Sequence, residues 1–316
     1  MSSLHQKVSL PRQPIVELEA VHKRFGEVEA LKGIDLAVRA GEVVALLGPN
    51  GAGKTTAISL MLGLRRPTSG HARLFGLDPS ERRARSRCGV MLQESGVWGA
   101  LTVRELVQTF RCYYPAPLPT EQTIARAGLL EQANVRVGRL SGGQRQRLYF
   151  ALAICGDPEV LFLDEPTVGM DVEGRLAFLA SIRALAADGR TVVLTTHYLE
   201  EADELAERVV VIDHGVVVAD APPRELKSRI AVRRVSFRAG SSIDDTTFAG
   251  LPIVNLEISG DRVRLLTSEP EAVLRRLFDG GAVIGELEVA GASLEEAFLS
   301  LTGRGSGGAI SRGPAA

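Results

Sequence analysis

The feature that most constrains this chain is a glycine-rich stretch, Gly48-Pro49-Asn50-Gly51-Ala52-Gly53-Lys54-Thr55, which fits the pattern GxxxxGK[ST]. It follows a β-rich apolar run, Glu42–Leu47, and opens a segment of helical character over Lys54–Leu64. Strand, glycine turn and helix in that order make a cradle for an anion. Glycines let the backbone take positive φ and approach a phosphate with no Cβ in the way. Successive N–H groups then face the anion, backed by the positive end of the helix dipole. Lys54 would set an ammonium near the β and γ oxygens of a nucleotide, and Thr55 would offer a hydroxyl to Mg2+. Alone, the motif says only that a nucleotide phosphate is held. A kinase, a GTPase or a DNA-dependent ATPase carries it equally well.

Around this cradle, short β-rich runs alternate with helical stretches. The runs are Ile15–Glu19, Asp35–Val38, Val160–Leu163, Thr191–Thr195 and Val209–Ile212, and Glu173–Ala187 is one of the helices. Leu148, Ala151, Leu152 and Cys155 recur at helical spacing and form one apolar face. Val160–Leu163, bounded by Pro158 and Asp164, suits a buried strand. The alternation predicts an α/β fold with a mainly parallel sheet covered on both faces.

The pattern changes after Leu226. Strands are expected over Val235–Arg238 and Ala282–Val289, with a hairpin of Ile253–Ile258 and Arg262–Leu266 around Gly260-Asp261. Ser268–Glu271 and Ser293–Glu296 both fit a capping box that opens a short helix. The expected organisation is an N-terminal extension over 1–14, a nucleotide-binding domain over 15–228, a small α+β domain over 229–303 and a disordered tail over 304–316.

Several function classes lose support. The 316 residues carry a net charge of -1 and the arginines are scattered, so no basic field draws nucleic acid. Cys88, Cys112 and Cys155 are widely spaced and form no CxxC pair, which points away from disulfides and zinc. Cys155 reads as a small core residue. The longest aliphatic runs fall far short of the ~20 apolar residues a membrane-spanning helix needs. Met1–Pro14 has no apolar stretch of the signal-peptide kind.

A second motif narrows the class. Leu140-Ser141-Gly142-Gly143-Gln144 precedes a helical run. Ser141 reads locally as an N-cap, which accounts for the serine and not for the pentapeptide. The five residues resemble, letter for letter, the signature of the ABC ATPases. That resemblance implies an ABC cassette with a mixed, mainly parallel sheet and a helical subdomain, binding ATP and Mg2+. It implies that Gly48 to Thr55, with Thr56, hold one ATP. Ser141, Gly142, Gly143 and Gln144 would cap the ATP of a second copy, giving a homodimer across two nucleotides.

Other positions resemble the family in order. Val160–Pro166 (VLFLDEP) resembles the Walker B strand, with Asp164 on Mg2+ through water and Glu165 polarising the attacking water. Gln93 resembles the glutamine that touches Mg2+ and lies beside the membrane partner. His197 resembles the switch histidine. Gly169-Met170-Asp171 resembles the D-loop, with Met in place of the usual Leu. Phe25 resembles the aromatic that stacks on adenine, where Tyr is commoner.

Thr195–Ala202 (TTHYLEEA), Val211–Val218 and Ser293–Gly303 are similar to the drug-resistance branch, the ATPases of daunorubicin-type exporters. This implies antibiotic efflux through a separate multi-span permease, with the chain at the cytoplasmic face of the cell membrane and no nucleic acid as partner. ABC ATPases that act on ribosomes or DNA are the alternative. A single cassette and the short interval from Gly53 to Leu140 argue against them.

Overall fold

The computed structural model describes residues 14–92, 96, 99–229, 232–240, 248 and 250–302. The expected N-terminal extension, apart from Pro14, and the expected tail lie outside these residues. The chain divides after Asp220 into two units.

The first unit runs β1 (Pro14–Phe25), β2 (Val28–Arg39), β3 (Val43–Leu47), α1 (Lys54–Met61), β4 (Ser69–Leu74), α2 (Arg82–Arg85), β5 (Cys88–Met91), α3 (Val103–Arg111) and α4 (Thr120–Arg126). It continues with α5 (Gly142–Ile154), β6 (Val160–Asp164), α6 (Val172–Ala187), β7 (Thr191–Thr195), α7 (Leu199–Leu205), β8 (Arg208–Asp213) and β9 (Val216–Ala221), whose last residue crosses the division. β2, β1 and β4 form an antiparallel sheet, and a six-stranded sheet has the order β5-β6-β7-β3-β8-β9. Its pairs β5–β6, β6–β7, β7–β3 and β3–β8 are parallel.

Every residue of β3, β6 and β7 is buried, which is why β3 and the stretches Val160–Leu163 and Val192–Leu194 read as apolar runs. One continuous core joins β1 and β2 (Val16, Leu18, Ile34, Leu36), α1 (Ala57, Ile58, Met61) and the central strands (Leu46, Phe162, Val193, Ile212). The register levels the ends of three neighbouring strands. Thr195 of β7 pairs with Asp164 of β6 and with Leu46 of β3. The chain therefore turns out of the sheet at one edge, at Gly48, Glu165 and Thr196 together. In an open α/β sheet, the crevice beyond the carboxyl ends of the strands is where ligands bind.

Some boundaries differ from the sequence reading. β1 and β2 are longer than expected because β1 bulges between Leu18 and Val21, with Ala20 at φ 45°, which breaks the alternation. α1 stops at Met61, short of Leu64, because Gly63 takes φ 64° just beyond its C-cap. α3, α4 and α5 pack on one another. Leu148, Ala151, Leu152 and Cys155 are buried on one face as predicted.

The second unit comprises α8 (Pro223–Ser228), β10 (Arg233–Ala239), β11 (Ile253–Ser259), β12 (Arg262–Thr267), α9 (Pro270–Asp279), β13 (Ile284–Gly291) and α10 (Leu294–Leu301). Its antiparallel sheet has the order β11-β12-β10-β13. α8 packs on α10, so a helix that the sequence reading left with the first domain belongs to this unit. Val235, Phe237, Val263, Leu265, Val273 and Leu277 form its own core. The capping box at Ser293–Glu296 forms, with both reciprocal bonds present. The one at Ser268–Glu271 does not. α9 starts at Pro270 after Glu269, and the Glu269 N–H donates to the buried Thr267 hydroxyl at 3.0 Å instead. Pro270 supplies a preset φ and has no N–H to satisfy, so a serine cap is not needed there.

Candidate active site

Most of the predicted site residues line two cavities of the first unit. The larger, 590 Å³, is lined by Ala30, the loop and helix start from Asn50 to Thr56, Glu165 and His197. The smaller, 280 Å³, is lined by Ser141, Gly143, Gln144, Arg147, Met170, Asp171, Gly174 and three residues of the segment after α4, Gly128, Glu131 and Gln132.

The first cavity is shaped by backbone. Gly48 lies at φ 156° and Gly53 at φ 112°. A Cβ on Gly48 would sit 2.1 Å from the Ile212 carbonyl oxygen, and one on Gly53 would sit 2.6 Å from a Leu31 methyl. Only glycine fits either place. Gly53 is also the N-cap of α1 and supplies no side-chain cap, so the first-turn N–H groups stay open to an anion. The Lys54 ammonium donates to the Gly48 carbonyl at 2.7 Å and to the Pro49 carbonyl at 3.1 Å. Burial lowers the pKa of that ammonium, and the Glu165 and Asp164 carboxylates pull it back up.

Asp164 is buried at the end of β6. Its carboxylate accepts from the Thr55 hydroxyl at 3.3 Å and from the Thr195 hydroxyl. Glu165, one residue on, takes φ 49°, which costs a non-glycine residue ~1 kcal/mol. Its N–H is held by Thr195, at 3.1 Å from the carbonyl oxygen and 3.0 Å from the hydroxyl. His197 Nδ1 stands 3.5 Å from Glu165 Oε2. A carboxylate beside a half-exposed imidazole, across from an ammonium, can orient a water against a phosphate held on the cradle.

The second cavity is shaped by helix ends. Ser141 is the N-cap of α5 and closes a capping box with Gln144. The Gln144 N–H donates to Ser141 Oγ at 3.2 Å and the Ser141 N–H to Gln144 Oε1 at 3.0 Å. The local N-cap reading of Ser141 is therefore realised. It leaves the hydroxyl proton free to donate outward, because the oxygen acts as acceptor in the cap. Asp171 caps α6 in the same manner, accepting from the Gly174 N–H at 3.0 Å. Pro49, Gly48, Gly142 and Asp164 sit beside the two cavities rather than on their walls.

Two predicted residues stand apart. Gln93 lies outside the described residues. Phe25 is an exposed residue at the end of β1, with Lys23 Nζ 5.1 Å and the Arg65 guanidinium 5.0 Å from its ring centroid. Ala30, Thr195 and Arg147 are positions the sequence reading did not single out for the site. The role of Thr195 emerges only from the β6–β7 register, and Arg147 is visible only once α5 is set against Gly128 and Gly174.

Among the described residues no cluster of three or more His, Cys, Asp or Glu side chains is placed to hold a metal. The Thr55 hydroxyl beside the Asp164 carboxylate is a hard-oxygen pair. That pair fits Mg2+ sharing its shell with phosphate oxygens and water.

The fold and these cavities define a P-loop nucleoside triphosphatase. The comparisons give its family. The ABC transporter family model matches residues 31–168. The chain is 36% identical over 303 residues to a Nod factor export ATP-binding protein of Burkholderia lata, covering 93% of this chain and 99% of that one. It is 38% identical over 315 residues to a daunorubicin resistance ATP-binding protein of Streptomyces coeruleorubidus, covering 91% and 95%. A dimeric ATP-binding cassette solved in a post-hydrolysis state with ADP and phosphate matches 66% of this chain and 98% of its own length, at 27% identity and TM-score 0.60. This chain belongs to the ATP-binding proteins of the ABC transporters, and it is an ATPase. No helix among the described residues is long and apolar enough to cross a membrane.

Proposed function

We propose that the chain drives export by closing on a second copy of itself around two ATP molecules, at the cytoplasmic face of a membrane and against a separate permease. The observation that carries this reading is the division of the site. The cradle with Glu165 and His197 opens into one cavity, and the Ser141 helix end with Asp171 opens into another on the same chain. Each is half of a phosphate site, and a two-fold dimer completes both. Relatives named for two different cargoes, daunorubicin and Nod factor, match over nearly their whole length. That supports export as the shared activity and leaves choice of cargo to the permease.

In this scheme Gly48 to Thr56 wrap the phosphates and Lys54 exchanges its two carbonyl partners for β and γ oxygens. Thr55 and Asp164 would hold Mg2+, which would supply charge neutralisation on the phosphates. Glu165 orients the attacking water, and His197 fixes Glu165 and the γ-phosphate. Ser141 and the Gly143 N–H of the second copy donate to the same γ-phosphate. Phe25 offers its ring to the adenine, and Gln93 with the 101–106 region reports closure to the permease.

Glu165→Gln removes the base and keeps the cradle. Turnover is expected to fall by about 100-fold or more while ATP still binds, so gel filtration with ATP should show a stable dimer. A variant that stays monomeric under saturating ATP would overturn the scheme.

A further inference from the structure

Glu201, in the first turn of α7, is 2% exposed and so are the two threonines it touches, Thr167 and Thr196. The Thr167 hydroxyl donates to Glu201 Oε1 at 2.6 Å, and the Thr196 hydroxyl donates to Oε2 at 2.8 Å. Thr196 in turn accepts from the Tyr198 N–H at 3.0 Å, closing the turn that carries His197. An apolar residue would fill this place at lower desolvation cost, so packing alone does not account for a carboxylate here.

The position of the two threonines supplies a reason. Thr196 adjoins His197. Thr167 lies two residues after Glu165, in the loop that runs on to Met170 and Asp171. That loop is also gripped from the other side, where Gln146 on α5 donates to the Val168 carbonyl at 3.4 Å. Glu201 thus ties the segment after β7 to the segment after β6, and the second of these segments spans from one cavity to the other.

We infer that Glu201 is a positioning residue for ATP hydrolysis: one buried carboxylate sets the distance between Glu165 and His197 and steadies the loop that joins the cradle to the Ser141 side. The inference rests on the hydrolytic site proposed above. It assigns Glu201 no contact with nucleotide. Its loss therefore acts on turnover and leaves nucleotide binding in place.

The test compares full-length wild type, Glu201→Ala, Glu201→Gln and Thr167→Val for ATPase rate, for ATP affinity with a fluorescent analogue, and for thermal melting. Wild-type turnover comes first: without it, the hydrolytic reading itself fails. Given turnover, Glu201→Ala is expected to lose about tenfold or more in kcat, with affinity within about twofold of wild type. Glu201→Gln keeps a carbonyl acceptor for one threonine and an amide for the other, so it should recover most of the rate. Thr167→Val should lose rate as well, and its effect should largely vanish in the Glu201→Ala background. If Glu201→Ala does not fold, Glu201→Gln and Thr167→Val carry the comparison alone. Unchanged kcat in Glu201→Ala or, should that variant not fold, in Thr167→Val overturns the inference, as does a loss of affinity as large as the loss of rate.

Discussion

The cradle and the Ser141 helix end both offer N–H groups to a phosphate, yet they are built in opposite ways. The cradle is a backbone shape locked by its surroundings. Gly48 and Gly53 are pressed against Ile212 and Leu31, and the lysine is already folded back onto the loop carbonyls. The Ser141 end is an ordinary capped helix whose glycines face open space or loose contacts: a Cβ on Gly142 would meet nothing nearer than the Gly169 oxygen at 3.6 Å. The first site is a product of folding. The second is a surface that gains a task only when something comes to it.

Substitutions should separate the two. The largest effect is expected from Gly48→Ala, where a Cβ meets backbone at 2.1 Å. The loop must move, at a cost of ~3 kcal/mol or more, and melting and nucleotide affinity should fall together. Retained affinity would mean that the cradle is softer than its contacts imply. Ser141→Ala should be milder. It removes one cap acceptor, worth about 1 kcal/mol, so the melting temperature drops by a few degrees while the isolated chain still binds ATP and turnover falls. Gly142→Ala should be smallest in stability, a change of less than about 1 kcal/mol and of stabilising sign. ATP affinity should stay intact and turnover should be reduced. Full turnover in Gly142→Ala would break the contrast, because the surface would then face no nucleotide.

The same contrast explains what could be read in advance. Contiguous motifs were legible. The glycine loop, the VLFLDEP strand and the pentapeptide each place their residues within one turn or one strand, so spacing alone sets their geometry. Central strands were legible because burial on both faces removes polar residues from them. What escaped depends on register or on packing between distant segments. Thr195 matters because it lies level with Asp164, and Glu201 because α7 folds back under two loops. Neither can be inferred from neighbours in sequence. β1 hid its length behind a bulge. Ser268 does not cap α9 because the helix begins at Pro270, which puts Glu269 at the N-cap.

Placing the two cavities on a single polypeptide has a genetic corollary. In the paired state proposed above, a lesion in one copy's cradle and a lesion in its mate's Ser141 end would fall on the same nucleotide. The opposite nucleotide is then enclosed by two unblemished halves. Two alleles, each inert when it pairs with itself, would together restore one working catalytic chamber out of two.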